Sequence, residues 1–359
     1  MAATANYASQ TNLGWDTKIV NLFESYSFVL DVENFPHVLY SGIDGLTYAS
    51  WSGQKWVSQV VDPDGATFGQ IALDSFGNPQ VAYVSGQSVR YASWTGSNWT
   101  IHTVDSGSDF SLKLSFSLDF SDTPFIMYTV TNSVPSETGN YWSTDTVKLA
   151  VLKGSSWSFQ TVLSDVGGFG NMVLDSAGNP HFTYATLYPA LTGIDNQTIS
   201  YASWDGTTWE NQKVVSNVRL VSIGELALDS HDFPHVAYIT DKGLMYTRWR
   251  GTGWSTLAVN NTVPPRWPCY LALDSSDNPH ISYLGVPYNK YGGVYISLIY
   301  ATTNTTNDIT PIITPDPTQT TASVFTTYLS FVIPSVTIGV IAVVVIVWKK
   351  RTPSFDKRD

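Results

Sequence analysis

The 359-residue chain has a single cysteine, Cys269, so no internal disulfide is possible and disulfide-rich secreted scaffolds are excluded. A small buried hydrophobe is the role expected of that cysteine. Charge is also scarce, at 13% of residues, and the basic share is the smaller one: 18 Lys and Arg against 29 Asp and Glu. No basic run occurs before Lys349. A chain that neutralises phosphates needs clustered Lys and Arg, so nucleic acid is excluded as a partner. No cysteine pair and no calcium loop of alternating Asp is present, and no metal or other cofactor is expected. Met1 to Gln10 lacks both the basic and the apolar region of an export signal; with a repeat pattern that opens in mid-blade, the expectation is that the natural N-terminus has been lost.

Aromatic residues, at 14%, are plentiful, and they recur. Ile71 to Tyr83 reads Ile-Ala-Leu-Asp-Ser-Phe-Gly-Asn-Pro-Gln-Val-Ala-Tyr, followed by Val89 to Trp99. The same line returns at Leu226 to Trp254. The Asp ending the first apolar run falls at Asp31, Asp74, Asp119, Asp175, Asp229 and Asp274, at intervals of 43 to 56 residues. Four-stranded propeller blades repeat at about 40–45 residues, and the patterning within each copy is that of strands.

Each copy predicts four strands, A to D. A Ser/Gly/Asn/Pro turn joins A to B, and a Trp-x-Gly-x-x-Trp turn joins C to D, as at Trp51 to Trp56, Trp94 to Trp99, Trp204 to Trp209 and Trp249 to Trp254. The expected fold is all-β, a six-bladed β-propeller of four-stranded antiparallel blades over residues 1–301. An N-terminal strand at Trp15 to Val20 is expected to complete the last blade. A seven-bladed ring lacking its first A and B strands is the alternative.

Beyond the repeats, residues 302–324 read as a stalk; 302–323 hold nine Thr and three Pro. Residues 325–348 read as a transmembrane helix. Tyr328 to Trp348 is uncharged over 21 residues and is followed at once by Lys349, Lys350 and Arg351. The positive-inside bias makes 349–359 a cytoplasmic tail and puts the propeller outside, in contact with the bilayer only through residues 328–348. A tail-anchored protein with a cytoplasmic propeller is the rival topology.

A residue present in every copy is scaffold, and function belongs where copies differ. The repeated Asp is assigned to the backbone of its turn. His37, His181, His235 and His280, which share one repeat position, are assigned to turn-capping or inter-blade hydrogen bonds. The copies differ most between strands B and C, where Thr131 to Thr146, Ala185 to Thr198 and Leu284 to Gly293 read as long loops. Their aromatics Tyr141, Trp142, Tyr188, Tyr288 and Tyr291 are candidate ligand anchors; a lid over the central channel is the competing reading.

The Tyr-x-x-Trp-x-Gly-x-x-Trp hairpin resembles that of fucose-specific lectin propellers of fungi and bacteria. Trp204-Asp205-Gly206-Thr207-Thr208-Trp209 resembles the Asp-box hairpin of sialidase-like propellers. The lectin resemblance implies inter-blade sugar sites using Arg, Glu and Trp, for which Arg90 and Arg248, placed at one strand C position of two repeats, are candidates. Only five arginines precede the apolar segment, and one of five hairpin turns carries Asp. The expected function is therefore a membrane-anchored, lectin-like module for a glycan or a surface protein and not an enzyme. The alternatives are a sialidase-like glycoside-acting enzyme, whose carboxylates Glu137, Asp145 and Asp195 could supply, and a structural cell-envelope component.

Overall fold

The computed structural model describes residues 5–11, 14–21, 25–107, 110–135, 141–186, 197–260, 265–285, 297–303 and 309–312. They form 25 strands. Among the described residues no helix is long and apolar enough to cross a membrane; residues 328–348 lie outside them.

Strands β1 (Ala5–Thr11) and β2 (Gly14–Asn21) form a two-stranded hairpin. Blade 1 comprises β3 (Ser25–Leu30), β4 (Pro36–Gly42), β5 (Gly45–Trp51) and β6 (Trp56–Asp62). Blade 2 comprises β7 (Phe68–Leu73), β8 (Pro79–Ser85), β9 (Ser88–Trp94) and β10 (Trp99–Ser106). Blades 3 and 4 are one seven-stranded sheet of β11 (Phe110–Leu118), β12 (Pro124–Pro135), β13 (Tyr141–Lys153), β14 (Ser156–Leu174), β15 (Pro180–Thr186), β16 (Gln197–Trp204) and β17 (Trp209–Val218). The long β14 serves as strand D of blade 3 and then as strand A of blade 4. Blade 5 comprises β18 (Leu220–Leu228), β19 (Pro234–Thr240), β20 (Gly243–Trp249) and β21 (Trp254–Asn260). Blade 6 comprises β22 (Pro265–Leu273), β23 (Pro279–Gly285), β24 (Ser297–Thr303) and β25 (Ile309–Ile312). Strands pair antiparallel in chain order, giving the propeller-like, all-β architecture expected.

Two expectations change. The fourth strand of blade 6 is β25, drawn from the Thr/Pro-rich segment read as a stalk, with Tyr300 paired to Ile312 and Thr303 to Ile309. The N-terminal strand expected in that place pairs instead with β1, Trp15 opposite Gln10. In addition, Thr131 to Thr146 is mostly ladder and not loop. Strands β12 and β13 stay paired from Phe125↔Val151 out to Pro135↔Tyr141.

The chain divides into two compact units, one mainly Met1–Leu187 with Ser200–Gln212, the other mainly Lys213–Ser335. In both, the cores lie between consecutive blades. In the first unit, alternate residues of β8 point to opposite faces. Val81 and Tyr83 join Leu39, Leu46 and Tyr48 of blade 1. Ala82 and Val84 join Leu114, Phe116, Ile126 and Tyr128 of blade 3. All seven residues of β8 are buried, so strand B reads as a continuous apolar run where a one-sided strand would alternate. In the second unit, Ile239, Leu244 and Tyr246 pack on Cys269, Ile281 and Tyr283. Cys269 is the small buried hydrophobe that its position predicts.

The second Trp of the hairpin in blades 1 to 4 packs against these cores. Trp99 meets Tyr48 of blade 1 edge-on at 5.7 Å between ring centroids, and Trp157 meets Tyr91 of blade 2 at 5.5 Å. Trp209 packs edge-on against Phe182 at 5.3 Å. Replacing Trp209 with Ala should lower stability by about 3 kcal/mol, the low end for core aromatics because the ring is partly exposed. Chemical denaturation of the variant checks this.

Candidate functional site

The A–B turns are built alike in all six blades. One carboxylate oxygen of the repeat Asp accepts the amides of the second and fourth residues after it: for Asp74 these are Phe76 at 3.0 Å and Asn78 at 2.8 Å, and for Asp229 they are His231 at 2.8 Å and Phe233 at 2.9 Å. The third residue after each Asp has positive φ: Asn34, Gly77, Asp122, Gly178, Asp232 and Asp277. Those are the residue types that tolerate a left-handed conformation.

The other carboxylate oxygen faces strand B. Asp31 Oδ2 lies 3.3 Å from His37 Nε2, and Asp74 Oδ2 accepts Gln80 Nε2 at 2.9 Å. His37 Nδ1 then meets the Tyr48 hydroxyl at 2.6 Å, and His235 Nδ1 that of Tyr246 at 2.6 Å. Gln80 takes the Tyr91 hydroxyl at 2.6 Å, and His181 pairs with Tyr201. The repeated His and Asp are thus joined in a buried relay. Burial pushes the Tyr91 phenol up to about 12 and His235 below its ordinary value, despite Asp229.

At the ends of the D strands sits a second arrangement. Asp62, almost wholly buried, accepts the Tyr83 hydroxyl at 2.7 Å and Arg90 Nη1 at 2.7 Å. Burial works to raise the Asp62 carboxyl but is outweighed by Tyr83, the Asp64 amide and Arg90, and the net shift is downward. Asp105 repeats the pattern with Tyr128 at 2.6 Å and Lys148 at 3.1 Å.

Arg90 and Arg248 do not share a position. Arg90 pairs with Tyr83, whereas Arg248 stands opposite His235; the repeat equivalent of Arg90 in blade 5 is Met245, opposite Tyr238. Arg90 is held between blades by Asp62 and by Asp64 at 3.1 Å. Arg248 instead lines a cleft of about 220 Å³ with Asp229, Phe233, His235, Trp249 and Arg250, at the A–B and C–D turns of blade 5. The two arginines therefore lie toward opposite ends of their blades. Nothing in the repeat pattern flagged Arg250; its proximity to Arg248 follows from the hairpin.

Of the anchors expected on long loops, Tyr141 and Trp142 belong to β13, with backbones opposite Pro135 and Val134. Tyr188, Tyr288 and Tyr291 lie outside the described residues, as do Glu137 and Asp195. Asp145 is described and differs from the other carboxylates. Burial raises its carboxyl, against a hydrogen bond from Thr131 Oγ1 to Oδ1 at 2.8 Å. The neighbouring Thr144 hydroxyl donates to Asp165 at 3.2 Å. Asp205, the one Asp of the hairpin turns, accepts from the amides of Thr207 and Thr208, both at 2.7 Å, which hold its carboxyl well below the usual range.

No family profile matches this sequence, and no curated protein is similar to it at the sequence level. Similar solved structures do exist. A hypothetical selenium-binding protein from Sulfolobus tokodaii superposes with a TM-score of 0.51 at 8% identity, over 83% of this chain and 82% of that one. An ulvan lyase of polysaccharide lyase family PL25 gives 0.47 at 14% identity, over 79% and 81%. The GH93 α-L-arabinofuranosidase of Fusarium graminearum gives 0.46 at 10%, over 77% and 92%. A sialidase and a puromycin hydrolase are also among the similar structures. The expectation that the chain is not an enzyme is corrected on this finding, because the structures it resembles are mostly enzymes. At these identities the likeness shows the fold alone and assigns no substrate.

The turn carboxylate of blade 6 sets a pH dependence. Burial works to raise Asp274, but Asn278, Ser276 and His280 outweigh it and hold the carboxyl at about 2 against an ordinary 3.8. A depressed folded pKa contributes stability that is complete above 3.8 and lost as pH falls toward 2. Asp274→Asn should destabilise the protein at pH 7 and flatten its acid transition in that window, measured by thermal melts at stepped pH.

Proposed function

We propose that this chain is a glycan-acting β-propeller displayed at the cell surface, and that its chemistry is glycoside cleavage. Asp145 is the observation that most supports this reading. Cleaving a glycosidic bond calls for one carboxyl that keeps its proton to give to the leaving oxygen, and a second that is ionised. Burial raises the Asp145 carboxyl, whereas those of Asp62, Asp105, Asp175, Asp205 and Asp274 are held low. Asp165, exposed and linked to the same hairpin through Thr144, is the second carboxylate of this reading. Tyr141 and Trp142, four and three residues before Asp145, are proposed as sugar-stacking anchors together with Tyr188, Tyr288 and Tyr291.

In the same reading the last blade includes Ile309–Ile312. Residues 313–324 are a short stalk, 325–348 a transmembrane helix and 349–359 a cytoplasmic tail. The support is the uncharged run from Tyr328 to Trp348 and the basic residues that follow it. Protease added to intact cells should remove the propeller and spare the tail. A propeller protected in sealed cells would overturn this topology.

Asp145→Asn should reduce the release of reducing ends from a panel of polysaccharides and aryl glycosides by about 10²–10⁴-fold, the usual contribution of a general acid. Its stability should move the other way. A folded pKa raised above 3.8 means that stability is fully present below that pH and lost as pH rises through the folded value. The Asn variant escapes this loss and should melt higher than the parent at pH 7, but not at pH 3. Full hydrolysis by a correctly folded Asn variant would remove Asp145 from the chemistry.

A further inference from the structure

Blade 5 departs from its own repeat at two adjacent places. Opposite the strand B residue of the relay stand Ser50, Ser93, Val151 and Thr302 in other blades, and Arg248 in blade 5. Two residues later, where blades 1 and 2 carry Ser52 and Thr95, blade 5 carries Arg250. The chain has a net charge of −11. Yet neither Arg248 nor Arg250 has an ion-pair partner among the described residues. The nearby carboxylates are engaged elsewhere. Asp229 accepts the amides of its own turn and faces His235; Asp277 accepts both the amide and the hydroxyl of Ser230.

Beside these cations the cleft offers two aromatic faces. Phe233 is 40% exposed, and the half-buried Trp249 is held by Trp254 at 5.6 Å between ring centroids. Guanidinium forks match the paired oxygens of carboxylates and sulfates, and flat rings match the apolar face of a pyranose. At about 220 Å³ the cleft falls below the roughly 300–1,000 Å³ of sites for drug-sized ligands. It suits one sugar residue.

We propose that this cleft is a subsite for the anionic group, carboxylate or sulfate ester, of an acidic sugar. Arg248 and Arg250 pair with the anion, and Trp249 and Phe233 receive the ring. The proposal rests on the glycan reading above, but it concerns residues separate from Asp145 and can fail alone.

The test uses the full chain in detergent. The probes are oligogalacturonates with free carboxyls, the same oligomers methyl-esterified, dextran sulfate oligomers and neutral dextran oligomers. The variant Arg248→Ser with Arg250→Thr restores what other blades carry and is expected to fold; its melting temperature checks this. The parent should bind at least one anionic set more tightly than its neutral counterpart, and the preference should weaken with salt. The double variant should lose roughly tenfold for each guanidinium removed. Loss confined to the oligogalacturonates identifies a carboxylate, and loss confined to dextran sulfate identifies a sulfate. Anionic binding unchanged in the folded double variant overturns the subsite. Neutral binding or glycoside cleavage without any anionic preference overturns it too, and leaves the glycan reading standing. A parent that neither binds nor cleaves any glycan overturns both.

Discussion

The turn aspartate meets two demands with one carboxylate, and the blades depend on both. Its first oxygen gathers the amides of the A–B turn, fixing the left-handed residue and with it the register of strands A and B. Its second oxygen orients a buried His or Gln, which in turn holds a tyrosine hydroxyl on strand C. In blades 1 and 2 that tyrosine ring supports the wedge Trp of the following blade. A local turn preference is thus carried through hydrogen bonds into inter-blade packing. Blade 3 shows the physical rule behind the relay. Phe125 takes the His place and the buried Leu149 the Tyr place. Both partners have become apolar together, which is the change a buried hydrogen bond tolerates; losing either alone would strand a polar atom.

Much of this was legible in the sequence because the repeat compares six copies of one solution. The Asp, the Gly of the Trp-x-Gly-x-x-Trp turn and the position of the His point to backbone geometry before any coordinates are known. Legibility failed where backbone pairing owes little to side-chain character. Residues 131–146 are rich in Thr, Ser and Asn and read as loop, yet 131–135 and 141–146 pair across a hairpin. Ile309–Ile312 lies in Thr/Pro-rich surroundings and still supplies a fourth strand.

The arginine misplacement has a simpler origin. Arg90 lies four residues before its hairpin Trp, and Arg248 one residue before. The offsets differ by an odd number, so the two side chains leave opposite faces of their sheets. One meets Asp62 and becomes part of the scaffold; the other shares a cleft with Asp229 but makes no ion pair among the described residues. Similar neighbouring sequence concealed opposite fates.

Charge then separates scaffold from site. Where an ionic group stabilises the fold, a partner neutralises it within hydrogen-bond distance, as at Asp62 with Arg90 and at Asp105 with Lys148. Asp145 departs from that rule: burial outweighs its one side-chain hydrogen bond, and its carboxyl is raised. Arg248 and Arg250 depart from it in the opposite sense, as two cations of one cleft with no ion-pair partner among the described residues. At the half-buried Asp145 such an arrangement costs stability, whereas the carboxylates Asp62 and Asp105 have partners that neutralise them. In the proposed reading a ligand supplies what is missing: an oxygen to take a proton at Asp145, and an anion to meet the guanidinium groups of Arg248 and Arg250.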